Sequence, residues 1–276
     1  MNQEINEQDK KTIYGPVLSW RFGMSLGIDP IFKISTCSFN CTYCQLGQIQ
    51  HVTNERKVYV PTEQIEKDFQ EFLKLDQLNN TGLFDKTDVI TFSGSGEPTL
   101  ALNLGEIHQS LKKDSGNKKF LILTNGSTLG NPDVCKDLTK MDKVIIKLDA
   151  VTEKSFNLVN RPTKELQLTE IINNIKHFKK YYRDDFEIQS MFMPMNYQML
   201  DEFVQVIEDI SPAGIQINTP KRPYPHSWHR ENRGKHSGTY DYKTSTLQTI
   251  ENEQIKVLEA KLQQIKGATV HSRISC

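Results

Sequence analysis

The stretch KVIIKLDA, Lys143 to Ala150, decides between two folds. Its first half is apolar and β-branched, as a buried strand should be. Its second half sets Lys147 and Asp149 two residues apart, so a strand carries both on one face. An open doubly wound sheet and a β/α barrel both accept the apolar part. The polar part favours the barrel, because its outer face packs on helices while its inner face leads to the mouth at the C-terminal strand ends.

Five further runs resemble it: IFKIST (31–36), DVITFSGS (88–95), KFLILTN (119–125), FEIQSMFM (186–193) and GIQINTP (214–220). Polar residues again gather towards their C-terminal ends. They are Ser93, Thr124, Asn125, Ser190, Gln216 and Asn218. Taken singly, each could merely end a strand or cap a helix; the set points to a site. Between the runs lie helical stripes, namely Ile65–Phe69–Phe72–Leu73, Leu168–Ile171–Ile175–Phe178, Leu200–Phe203–Ile207–Ile210 and Ile255–Leu258–Leu262–Ile265. Strands alternating with helices predict an α/β fold with a parallel sheet. No linker or repeat divides the 276 residues, so one domain is expected. Its parts are an N-terminal extension (1–30), a core (31–220) and a final loop and helix (221–276).

Thirty-four basic residues balance 34 acidic ones, so any nucleic-acid contact must come from a local patch. No apolar run approaches the roughly 20 residues of a membrane span. The polar start, MNQEINEQDKKT, lacks the apolar core of a secretory signal. The five cysteines are odd in number and clustered, which argues against a disulfide framework and for a reducing, cytoplasmic home.

Three of them, Cys37, Cys41 and Cys44, sit in CSFNCTYCQLG (37–47), directly after the run read as strand one. The loop therefore belongs at the mouth. Structural zinc and cubane clusters both take four protein ligands as a rule. Three readings stand. One is zinc, with His51, Cys135 or Cys276 as the fourth ligand. Another is a closed cluster that uses one of those two cysteines. The third is a cluster with one metal left open for a ligand. SGSGEPTL (93–100), after strand two, brings glycines and an acid to the same edge.

C-x3-C-x-aromatic-C, with Tyr43 as the aromatic, resembles the signature of the radical S-adenosylmethionine (SAM) superfamily. GEP at 96–98 resembles that superfamily's glycine–glutamate motif, and six βα units match its partial (βα)6 TIM-like barrel. GPVLSWRFGMSLGIDP, CQLG, TNGS and INTPKRP resemble the branch related to tRNA-wyosine synthase. The resemblance implies that Cys37, Cys41 and Cys44 bind three irons of a [4Fe-4S] cluster and that SAM chelates the fourth. It places Tyr43 near the adenine, and Gly94, Ser95, Gly96 and Glu97 around the methionine amino group. Asn125, Ser127 and Ser190 would contact ribose or carboxylate. Reductive cleavage of SAM would then give methionine and a 5′-deoxyadenosyl radical that abstracts a substrate hydrogen. A flavodoxin- or ferredoxin-type electron donor is implied.

For substrate, the branch suggests a tRNA base. The alternatives are radical modification or activation of a protein or peptide, and a non-catalytic iron–sulfur or zinc module. Wyosine synthases carry further cysteines ahead of the motif, and none precedes Cys37 here. Their lysine for pyruvate could correspond to Lys147, but an ion pair with Asp149 is the preferred reading. The segment Arg222–Lys243 holds five basic and two acidic residues, three histidines (His226, His229, His236) and four aromatics. Such interleaving suits phosphate contact and base stacking, hence a lid that touches tRNA; a merely solvated loop is the alternative. Trp20 and Arg21 either shape the floor of the site or cover the open barrel.

Overall fold

The computed structural model describes residues 11–182, 186–234 and 240–272. The first half of the chain forms β1 (Ile13–Ser19), β2 (Gly23–Ile28), β3 (Thr36–Cys37), β4 (His51–Val52), α1 (Thr62–Leu78), β5 (Val89–Phe92) and α2 (Leu104–Lys112). Next come β6 (Lys119–Thr124), α3 (Pro132–Leu138), β7 (Lys143–Lys147), α4 (Glu153–Val159), α5 (Leu168–Phe178) and β8 (Glu187–Met191). The last part forms α6 (Pro194–Tyr197), α7 (Leu200–Ile210), β9 (Gly214–Asn218), β10 (Tyr224–Pro225), β11 (Thr244–Ser245), α8 (Asn252–Gln263) and β12 (Thr269–Ser272).

Eight strands make one sheet in the order β1-β2-β5-β6-β7-β8-β9-β12. β1 runs antiparallel to β2, and the other neighbours are parallel. The two-residue period divides its faces. Leu26, Ile28, Ile90, Phe92, Phe120, Ile122, Val144, Ile146 and Ile188 are buried in one cluster with Ile65, Phe69, Ile107, Ile171, Ile207 and Leu258 of the helices. The alternate residues face a cavity of about 700 Å³ whose lining runs from Tyr14 on β1 to Ser272 on β12. Both edge strands reach one cavity, so the sheet curls. The architecture is the expected partial barrel, with helices outside and polar strand residues inside.

The strands expected at 88–95, 119–125, 143–150, 186–193 and 214–220 are β5 to β9, each ending before the expected residue as the chain turns into the mouth. The strand expected at 31–36 is not formed. Residues 31–35 turn around the Asp29 carboxylate, which accepts from the N–H of Ile31 (3.1 Å) and of Phe32 (2.9 Å). Only Thr36 pairs, in the two-residue β3. The strand beside β5 is β2 instead, whose pattern is muted because its inner face is small. A Cβ on Gly27 would lie 2.1 Å from the Tyr14 ring, so glycine is what lets that ring lie across the strand. Residues 13–28 and 269–272, outside the expected core of 31–220, thus supply three strands of the sheet. No helix among the described residues is long and apolar enough to cross a membrane.

Candidate functional site

The cysteine loop owes its shape to the elements beneath it. α4 begins at a Thr152–Ser155 capping box, and its last carbonyls lack partners within the helix. The loop supplies them. Thr42 N–H donates to Val159 (2.9 Å) and Asn40 N–H to Asn160 (3.0 Å). On the other side β3 pairs with β4, and Ile49 N–H donates to the Asn40 side chain at 3.1 Å. Cys37, Cys41 and Cys44 are all free and half-buried. Burial pushes each thiol up, Cys41 to about 12. They lie close enough for Cys41 and Cys44 to raise Cys37 further. Coordination to a cation would invert this, since a metal-bound thiol is deprotonated. N–H groups already point at the sulfurs: Phe39 N at 3.4 Å and Asn125 Nδ2 at 3.6 Å from Cys37, and Asn160 Nδ2 at 3.5 Å from Cys41.

Among the described residues, no three Cys, His, Asp or Glu side chains are placed to hold a single metal ion. Cys37, Cys41 and Cys44 share one loop as three free thiols. His51 is exposed on β4. Cys135 is buried in α3, its thiol donating to the Leu129 carbonyl at 3.2 Å. Cys276 and His236 lie outside the described residues. By donor chemistry, three cysteine thiols on one loop suit an iron–sulfur cluster.

The turn after β5 is locked to that loop by backbone. Thr36 N–H donates to Ser95 (3.0 Å) and Glu97 N–H to Thr36 (3.1 Å). A Cβ on Gly96 would lie 1.7 Å from the Thr36 carbonyl oxygen, so only glycine fits there. Glu97 is buried and accepts from Thr99 N–H (3.1 Å), the hydroxyls of Thr99 (2.6 Å) and Thr124 (2.7 Å), and Asn125 N–H (2.7 Å). Its carboxylate ties the turn to the end of β6. Burial nevertheless raises its pKa.

Sequence reasoning missed Asp29, which joins three parts of the site. It accepts from Ser95 N–H (2.9 Å) and hydroxyl (2.6 Å), and pairs with Arg233 at 2.8 Å. Gly94 packs against the same carboxylate. Asn160 was missed too; it also donates to Asp149 at 2.8 Å. Its position at the end of a capped helix was the available signal. Asp29 followed by Pro30 gave none.

The other expected residues divide into two groups. Tyr43 lines the cavity beside Cys44, its hydroxyl bonded to Asp149 and its ring 5.0 Å from the Lys147 ammonium. Lys147 pairs with Asp149 at 3.2 Å, as the ion-pair reading required. Asn125 and Ser127 instead hold the cysteine loop, through Ser38 at 2.8 and 2.7 Å. Ser190 faces away from the cavity. It is fully buried, its hydroxyl bonded to the Leu148 carbonyl, because its strand register puts Gln189 and Met191 on the inner face.

The Arg222–Lys243 segment folds down on the cysteine loop. Arg222 donates to Gln45 Oε1 (2.7 Å), Asn232 to the Gln45 carbonyl (2.8 Å) and His229 N–H to Leu46 (2.9 Å). Arg230 stacks on Phe32 at 4.4 Å, and His229 on Tyr242 at 3.5 Å. Among its described residues the segment is a packed cover.

A family model described as "Radical SAM superfamily" matches residues 31–210. A UPF0026 protein of Synechocystis is 38% identical over 261 residues, 94% of each chain. The fold is shared with TYW1 solved with a lysine–pyruvate adduct, at TM-score 0.60, 18% identity and coverage of 87% and 73% of the two chains. It is shared as well with anSMEcpe bound to AdoMet, at TM-score 0.59, 19% identity and coverage of 91% and 64%.

Proposed function

We propose that this chain, which belongs to the radical SAM superfamily, holds a [4Fe-4S] cluster on Cys37, Cys41 and Cys44 and binds SAM at the iron those residues leave open. It is a radical SAM enzyme. One observation carries the finer reading. Three free, half-buried thiols share one loop, while Cys135, the other described cysteine, is buried in α3 with its thiol on the Leu129 carbonyl. The AdoMet-bound neighbour supports the ligand. Such a cofactor pair supplies one-electron cleavage of the sulfonium to methionine and a 5′-deoxyadenosyl radical, which takes hydrogen from a substrate.

The protein's work is placement. Asn125, Asn160 and the Phe39 amide donate to the sulfurs, an arrangement that sets cluster potential. Asp149 fixes the Tyr43 hydroxyl, and Asp29 fixes Ser95 in the glycine turn. The hydrogen bonds from the cover to Gln45 and Leu46 hold the outer side of the loop in place. A flavodoxin- or ferredoxin-type donor would deliver the electron. The branch resemblance supports a tRNA base as substrate. Arg222, Arg230 and Arg233 meet protein partners, so RNA contact through the cover would fall to its other side chains.

Anaerobic reconstitution tests the cofactor reading. The protein should bind iron and sulfide, and with dithionite and SAM it should release 5′-deoxyadenosine. Cys37→Ala, Cys41→Ala and Cys44→Ala should each abolish both. Zinc in place of iron, or no cleavage by the loaded protein, would overturn it. A tRNA nucleoside mass profile unchanged by loss of the gene would remove the tRNA substrate.

A further inference from the structure

The hairpin between β1 and β2 enters the barrel from the end opposite the cysteine loop, since β2 runs towards the mouth and Asp29. At its tip, Arg21 lines the same cavity as Tyr43 and Cys44. Its guanidinium lies 5.3 Å from the Trp20 ring centre and 5.4 Å from that of Phe22, so two aromatic planes fix it. Its Nε is buried without a hydrogen-bond partner, and among the described residues its side chain makes no ion pair. The residue as a whole is half-buried, and the part of a charge withdrawn from water is costly unless paired. Burial lowers the Arg21 pKa to about 10, with Glu187 opposing the shift. Glu187 is already engaged by Lys143 and Gln216.

The charged side chains that line the cavity are basic, with Asp149 behind Lys147 and Glu187 acting on Arg21 from outside it. Arg21, Lys147, Lys221 and Arg222 line it, and no aspartate or glutamate does among the described residues. Lys147 has Asp149, Arg222 has Gln45 and the Gly234 carbonyl, and Lys221 is engaged as well, which leaves the floor arginine as the position awaiting a partner. A cleft of one sign with low-dielectric walls concentrates counter-ions. Its volume of about 700 Å³ suits a small molecule or one flipped-out group.

From this geometry we infer that the group of the substrate entering the barrel is anionic, a phosphate or a carboxylate, and that Arg21 binds it at the floor while the reacting carbon faces Tyr43 and Cys44. The substrate role rests on the radical SAM reading; the anion site does not. Trp20 supplies a local probe. In a Trp228→Phe background it is the remaining tryptophan of the chain's two. Inorganic phosphate and succinate, each titrated at low ionic strength into the anaerobically reconstituted protein, represent the two chemistries.

The expected result is a saturable change in Trp20 emission with at least one of them. Arg21→Gln should bind roughly 10–100-fold more weakly, the loss of a charged hydrogen bond. Arg21→Lys, which keeps charge but not the planar fork, should fall between. Far-UV circular dichroism establishes that each variant is folded. No saturable response to either anion, or equal affinity in the parent, Arg21→Gln and Arg21→Lys, overturns the proposal. A protein that cleaves SAM but ignores both anions loses only the anchor. One that binds anions through Arg21 but releases no 5′-deoxyadenosine loses only the cofactor reading.

Discussion

Replacing Arg233 with methionine tests how the cover governs the glycine turn. The side chains of Arg233 and Asp29 are 1% and 0% exposed, and they pair at 2.8 Å. Removing one partner of such a pair costs about 3–5 kcal/mol, because a buried charge loses its compensation. Four donors remain on Asp29, two from Ser95 and the amides of Ile31 and Phe32. They place the loss at the lower end, about 3 kcal/mol. At roughly 2–4 °C per kcal/mol for a chain near this size, the melting transition should fall by about 6–12 °C. Methionine keeps most of the packing against Tyr14 and Phe32, so the change reports charge more than volume. Asp29→Asn should cost a similar amount. The double variant should cost less than the sum by about 0.5–3 kcal/mol, the signature of a direct pair. Urea denaturation under anaerobic conditions measures all three, and SAM titration measures how far the Ser95 turn has loosened. An Arg233→Met protein within about 1 kcal/mol of wild type, or strict additivity in the double variant, would refute the reasoning.

Two further outcomes follow from the same turn. Gly96→Ala must move the Thr36 carbonyl, now 1.7 Å from the would-be Cβ, so it should lose at least about 2 kcal/mol and bind iron poorly; normal iron content and stability would contradict this. Glu97 has a folded pKa above its ordinary 4.5, so its contribution to stability is complete below that value and is lost as pH rises through the raised one. The stability of wild type relative to Glu97→Gln should therefore fall over that window. A flat difference between pH 4.5 and 8 would show that burial does not dominate at this carboxyl.

The sequence reveals features of the chain that are local and periodic. β5 to β9 stand out because one face is continuous aliphatic packing against helices, and KVIIKLDA carries the inner-face polarity as well. Cys37, Cys41 and Cys44 stand out by spacing, which leaves zinc and cluster readings open; their part as cluster ligands comes with the resemblance. β2 does not stand out, since Ser25 and Gly27 leave its inner face without a pattern, and the apolar Ile31 and Phe32 imitate a strand while serving a turn. Ser190 went astray by one residue of register, which in a strand exchanges the faces. Asp29 and Arg233 are 204 positions apart, and no window of sequence joins them. Arg21 could be read as floor or as cover, and its burial beside two rings is what distinguishes the cases.

That separation of 204 positions orders events during synthesis. Asp29 and the Ser95 turn leave the ribosome early, as do β5 and β6. Their carboxylate then waits, hydrated, until residue 233 has been made. A domain generally folds as a unit during synthesis, so its late segments decide when it is complete. Both the charge partner of the glycine turn and the last strand, β12, are therefore missing until late in synthesis. The glycine turn gains its charge partner late, and a ribosome stalled before residue 233 would carry a chain whose cysteine loop still lacks that part of its cover.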